Sequence, residues 1–132
     1  MLFRRCPWGA IDSAFEKRIP YDAPCEHADA LRRQVESGSA ELYHIEQGGK
    51  TVGMVVARVD CKAEKEFVVI AAFADSEQPV SSELDAWATA LAASSGCASI
   101  RFHTIRAAAA RFAVEVLGYR LTELVLRKNV LR

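Results

Sequence analysis

The sequence predicts a single α/β domain of the α+β kind, spanning residues 1–132, with a mixed central sheet flanked by helices. Three observations carry that expectation. The run Phe67-Val68-Val69-Ile70-Ala71-Ala72-Phe73-Ala74 is apolar at every position, which suits a strand covered on both faces. A polar break leads to Leu84, Trp87, Ala88, Leu91 and Ala92 at helical spacing, and after Gly96 comes Ile100-Arg101-Phe102-His103-Thr104-Ile105. Strand, helix and strand within about 40 residues describe a βαβ unit with parallel strands. Upstream, Glu41 to Glu46 and Thr51 to Val59 flank Gly48-Gly49, the signature of an antiparallel hairpin.

The remaining elements follow in order. Leu2-Phe3-Arg4-Arg5 reads as a short first strand. Pro7 suits a first helical turn, and Ile11, Ala14, Phe15 and Arg18 repeat at helical spacing. The two prolines of Ile19 to Pro24 stop that helix. Asp22 can cap a second one, striped by Ala28, Leu31 and Val35 and ended by Gly38. Asp60 to Lys65 turns the chain into the apolar run. From Arg106 to Leu117, the residues Ala109, Phe112, Ala113, Val116 and Leu117 share one helical face. Gly118 is a natural helix C-cap, and Tyr119 to Leu126 reads as a closing strand. The predicted order is β-α-α-β-β-β-α-β-α-β.

Composition excludes several classes. A chain of 132 residues, 51% apolar and 26% charged, is an ordinary globular composition with enough length for one core. Its apolar runs fall short of the roughly 18 to 20 residues that cross a bilayer, so no membrane span is expected. Leu2 to Trp8 has basic residues without an apolar core or cleavage site behind them and is not read as a signal peptide. Cys6, Cys25, Cys61 and Cys97 lie at wide, irregular intervals, which favours reduced thiols and a cytoplasmic location. His27, His44 and His103 have no metal-ligand spacing, so no metal is expected. Seventeen basic and seventeen acidic residues cancel, which argues against general nucleic-acid binding. Residues 60–97 nevertheless hold two basic and seven acidic side chains, and residues 98–132 seven basic and two acidic ones. The plainer reading of those C-terminal arginines is a solvated face.

Taken with the ending Leu117-Gly118-Tyr119, a helix closed by glycine and an aromatic residue, the element order resembles the GNAT superfamily of N-acyltransferases. The hairpin segment Gly49-Lys50-Thr51-Val52-Gly53 is also similar to that family's second and third strands, which often read Gly-x-x-x-Gly. The resemblance implies an acetyltransferase moving an acetyl or acyl group from acetyl-CoA to an amine on a small molecule or a protein. It places the cofactor between the strand Phe67 to Ala74 and the strand Ile100 to Ile105. Pantetheine would pair with the backbone at Ala71, Ala72 and Phe73, and pyrophosphate would rest on the amides of Val80, Ser81 and Ser82 at a helix N-terminus.

Two departures weigh against full conformity. The family's phosphate loop is rich in glycine with a basic residue, whereas Asp75-Ser76-Glu77-Gln78-Pro79-Val80-Ser81-Ser82-Glu83 has no glycine, no base and three acids. Where many relatives carry an Asn and an acidic Tyr on the last helix, Ala107 and Val114 stand here. The catalytic candidates are His103, an imidazole able to accept or donate a proton, and Glu66, at the foot of the apolar strand where some relatives place a general base. Tyr43, His44 and Glu46 on the hairpin are weaker candidates. Cys97 lacks the neighbours of a nucleophile. Arg101, Arg106 and Arg111, with Thr104, offer an anion clamp in place of the missing loop. The alternative function is a non-catalytic binding or structural protein that keeps the fold after losing the CoA loop, similar to compact degenerate relatives in phage genomes. The oligomeric state, a homodimer included, stays open at this level.

Overall fold

In the computed structural model the apolar run lies in a ten-residue strand whose segment Phe67 to Ala71 is buried on both faces. The structure describes residues 1–9, 13, 16–18, 28–75, 80–104, 107–124, 126 and 128–130. Its elements are β1 (Leu2–Cys6), α1 (Ala28–Ser37), β2 (Glu41–Gln47), β3 (Lys50–Cys61), β4 (Lys65–Ala74), α2 (Ser81–Ser94), β5 (Ser99–Phe102) and α3 (Ala107–Glu115). The helix expected after Pro7 falls largely outside the described residues, although Ser13 and residues 16–18 are helical. The predicted cap Asp22, together with Ile105, Arg106 and residues 76–79, also lies outside them.

The strands pair in sequence order, β1-β2-β3-β4-β5, antiparallel throughout except for the parallel β4–β5 pair. This is the mixed sheet that the hairpin and the βαβ unit require. One face packs under α1, with Leu31, Leu42, Met54, Val56, Val68 and Ile70 buried together. The other packs under α2, whose Ala88 and Ala92 are buried against Tyr43, Ile45, Val55, Phe67 and Val69. Trp87 fills the gap there, stacked on Phe3 at 4.7 Å and edge-on to Tyr43 at 4.7 Å.

The β3–β4 ladder jumps from Val56↔Ala71 to Ala57↔Val69, leaving Ile70 as the extra residue of a β-bulge. A bulge bends its strand and re-aims the side chains beyond it. Accordingly Ala72 and Ala74 turn to the α2 face while Phe73 packs on the α1 face.

The closing strand is a correction. Among the described residues, 119–124 and 126 form no strand, and Leu121, Leu124 and Leu126 are 69%, 76% and 92% exposed. The chain after α3 is instead tied locally, by the Tyr119 amide donating to Ala113 O at 3.0 Å. Strand propensity needs a sheet edge within reach, and β5 offers only four residues. Val116, assigned to the buried face of α3, is likewise 62% exposed.

Candidate active site

The bulged strand and the short one beside it create an opening. The parallel ladder between β4 and β5 ends at Val69↔Phe102, yet β4 runs on to Ala74. The backbone from residue 70 to 74 therefore has no β5 partner, and only its groups that face away from β3 are left for another. A cavity of about 460 Å³ fills the space, lined by Ala71 to Ala74 on one side and Phe102 to Thr104 on the other. Val80 and Ser81 at the start of α2 close one end, and Phe112, Ala113 and Leu117 of the α3 region roof it. An elongated ligand with its own amides would add to the exposed β4 edge as an extra strand does. Ala71, Ala72, Phe73, Val80 and Ser81 all line the cavity, and Ser82 lies beside them as an exposed residue of α2.

Two polar residues absent from the sequence-based candidates stand in this lining. The Tyr119 hydroxyl donates to Asp85 Oδ1 at 2.7 Å, bridging α2 and the chain after α3. The Tyr119 ring meets Phe102 edge-on at 5.1 Å. Burial, and then the hydrogen bond to Asp85, push the phenol well above its ordinary range. Tyr119 is therefore a proton-bearing donor, not an anion. A signal for Asp85 was present: Ser81, Leu84, Asp85 and Ala88 share one helical stripe, and the aspartate interrupts its apolar side.

The remaining candidates separate cleanly. His103 is exposed and lines the cavity with Thr104, just past the end of β5. Glu66 pairs in register with Ser99, four residues back along the sheet and thus on the order of 13 Å from His103. Its carboxylate accepts from Ser99 Oγ at 3.1 Å and pairs with Arg101 at 3.4 Å. Arg101 also reaches Asp60 Oδ2 at 3.1 Å, and Arg58 donates to Asp60 Oδ1 at 2.8 Å. The hydrogen bond from Arg58 holds the Asp60 carboxyl below its usual range.

The arginine clamp is corrected by this network: Arg101 is consumed by two carboxylates away from the cavity, Arg111 is exposed and absent from its lining, and Arg106 lies outside the described residues. Tyr43 is a core residue whose hydroxyl donates to Glu41, and Glu46 is ion-paired with Arg4. His44 sits on β2 opposite Arg4 and Met54. Among the described residues Cys6, Cys61 and Cys97 form no disulfide. Among the described residues no cluster could hold a metal ion.

The cavity's shape and lining bear on one part of a CoA molecule, its pantetheine arm. The mainly apolar lining and the β4 edge beyond the end of β5 suit a pantetheine arm. At the phosphate end, α2 begins at Val80 with no side-chain cap, and a free helix N-terminus favours an anion by about 0.3–1 kcal/mol. Of the acids near the start of that helix, Asp85 lines the cavity and accepts from Tyr119, and Glu83 pairs with the N-terminal ammonium at 4.0 Å. Among the described residues the cavity lining contains no lysine or arginine. Arg18 stacks over Phe73 at 4.5 Å, a ring that belongs to the α1 side of β4.

No family model matches the sequence, and no curated protein sequence matches it either. Solved structures do match over nearly the whole chain. A probable acetyltransferase is similar with a TM-score of 0.70 at 11% identity, covering 100% of this chain and 98% of its own. The aminoglycoside acetyltransferase AAC(6')-Iy, in complex with a CoA-linked bisubstrate analogue, is similar with a TM-score of 0.67 at 15% identity, covering 97% and 96%. A transcriptional regulator from Bacillus halodurans C-125 reaches 0.71 at 19% identity, covering 97% and 99%. With its mixed sheet, its parted parallel strands and these matches, the chain has the fold of the GNAT acyltransferase superfamily.

Proposed function

We propose that this protein is an N-acyltransferase that moves an acyl group from a thioester to an amine held at the mouth of the β4–β5 cavity. The observation that carries the reading is the parting of β4 from β5 after Val69↔Phe102, which leaves a strand edge open along a cavity of about 460 Å³. The AAC(6')-Iy neighbour, solved with a CoA-linked acetylneamine, supports the same pairing of thioester donor and amine acceptor. The β4 backbone at Ala71 to Phe73 aligns the donor arm, and its amides on the side away from β3 polarise an acyl carbonyl. A bound acyl thioester supplies the electrophilic carbon.

His103, exposed at the cavity mouth, takes the proton from the attacking amine, which is nucleophilic only when neutral. Solvent at the mouth returns a proton to the leaving sulfur, because Val114 has no proton to give. Glu66 acts at a distance: it fixes Arg101 and the start of β5, and thereby the strand that carries His103. The acceptor is a small-molecule or protein amine, the donor acetyl-CoA or a related thioester.

A second reading, a non-catalytic binding protein of the same fold, is favoured by the acidic, glycine-free loop after β4 and by Val114. Release of free thiol from acetyl thioesters in the presence of a panel of primary amines separates the two. Amine-dependent release that falls about 100-fold or more in His103→Ala, with stability unchanged, supports the enzyme. No amine-dependent release with any donor supports the binding protein.

A further inference from the structure

We infer that the β4–β5 cavity binds an alkyl diamine or polyamine, one protonated amino group seated on Asp85 and another, neutral, serving as the acceptor. This rests on the reading of the cavity as a site of amine acylation and narrows its substrate class. Among the described residues, Asp85 is the one acid in the lining, and no lysine or arginine accompanies it there. Its Oδ1 accepts from the Tyr119 hydroxyl at 2.7 Å. That phenol, pushed well above its ordinary range, stays protonated, so it orients the carboxylate without neutralising it. Asp85 Oδ2 has no hydrogen-bond or ion-pair partner among the described residues. Leu84 and Ala88 of α2, with Phe102 and Leu117, make the lining around this pair mainly apolar. A single charge between low-dielectric walls focuses its field into the cleft and concentrates ions of opposite sign. An ammonium answers it with both charge and hydrogen bonds.

The ammonium on Asp85 is not the group that reacts. An amine attacks only when neutral, and an adjacent carboxylate favours its charged form. The attacking nitrogen is therefore a second one on the same molecule, delivered to His103, which lines the same cavity and is exposed at its mouth. The stretch between the two nitrogens lies against Leu84, Ala88 and Phe102, surfaces that suit an alkyl chain. In the transfer the neutral nitrogen forms the C–N bond, the C–S bond breaks, His103 takes the amine proton, and the thiolate is protonated from water. The ammonium on Asp85 keeps its charge throughout.

The test is calorimetric binding of diaminobutane, diaminohexane and diaminooctane to the full chain, each against the monoamine of the same length, followed by thiol release from acetyl thioesters with the same amines. At least one diamine should bind about tenfold tighter than its monoamine, as for a partly buried ion pair, and salt should reduce that preference. Asp85→Asn keeps the shape and an acceptor for Tyr119 but removes the charge, so diamine and monoamine should then bind within about twofold of each other. The comparison on the unaltered chain stands whether or not that variant folds. Equal binding of diamines and monoamines, no binding of either, or a preference that survives Asp85→Asn overturns the inference; thiol release driven equally well by monoamines would leave the transferase reading intact. Diamine binding that depends on Asp85, without thiol release from any donor, supports the ammonium site and refutes the transferase reading.

Discussion

Replacing Gly53 by alanine sets two effects of opposite sign against each other. Gly53 lies in β3 opposite Ile45 of β2 and Ala74 of β4, with no left-handed backbone angle to demand glycine. On intrinsic grounds Gly53→Ala should therefore stabilise the strand by about 0.5–1 kcal/mol, by restricting the unfolded chain. The structure argues otherwise. A Cβ there would stand 2.7 Å from Ala74 Cα and nearer still to the Phe73 carbonyl oxygen. Carbon atoms pack without repulsion at about 3.5–4.0 Å, so one strand must shift by roughly 1 Å.

β3 is paired on both sides and cannot yield alone. The strand that moves is the end of β4, the part that lines the cavity. Overpacking of this kind costs about 1–3 kcal/mol, which leaves a net loss of about 0.5–2 kcal/mol after the intrinsic gain. Urea denaturation should show a lower midpoint with an unchanged slope, and the melting temperature should drop by about 2–8 °C for a chain of this size. Binding of pantetheine should weaken as well, because Phe73 and Ala74 are displaced. A Gly53→Ala protein as stable as the parent, or more so, refutes the steric argument.

Leu31, fully buried on the inner face of α1, should cost about 2–5 kcal/mol as Leu31→Ala; a loss under 1 kcal/mol by chemical denaturation would show that α1 is not seated as described. Arg101→Ala leaves Glu66 without its guanidinium partner and Asp60 with Arg58 alone, both carboxylates less than a third exposed, and should destabilise by about 1–3 kcal/mol, between exposed and buried pairs. An unchanged midpoint at low salt would sink that account. Tyr43 and Tyr119 both have phenols raised by burial first and by a carboxylate partner second. The unfolded chain releases these protons near pH 10, where the folded chain retains them, so stability is intact below pH 10 and falls as pH rises above it. Phenolate absorbance from both should appear together with the loss of circular dichroism; ionisation well before unfolding would contradict the buried placement.

Sequence pattern was sufficient wherever a local rule meets a global one. Phe67 to Ala71 are apolar without interruption because they are covered by α1 and α2 at once, and Gly48-Gly49 turns the hairpin with both residues at positive φ. Period and punctuation of that kind are written in neighbouring residues. Tertiary structure decided what depends on contacts across the chain. Tyr119, 34 residues from Asp85, becomes its hydrogen-bond partner only because α2 and α3 share a face of the sheet. Arg101 and Glu66 look like functional groups in isolation, and the β4–β5 register turns them into each other's counter-ions. The apolar residues of 119–126 have strand propensity, but a strand is a relation to a neighbour, and residues 119–124 form none. Composition determines which groups are available; the fold determines which of them meet.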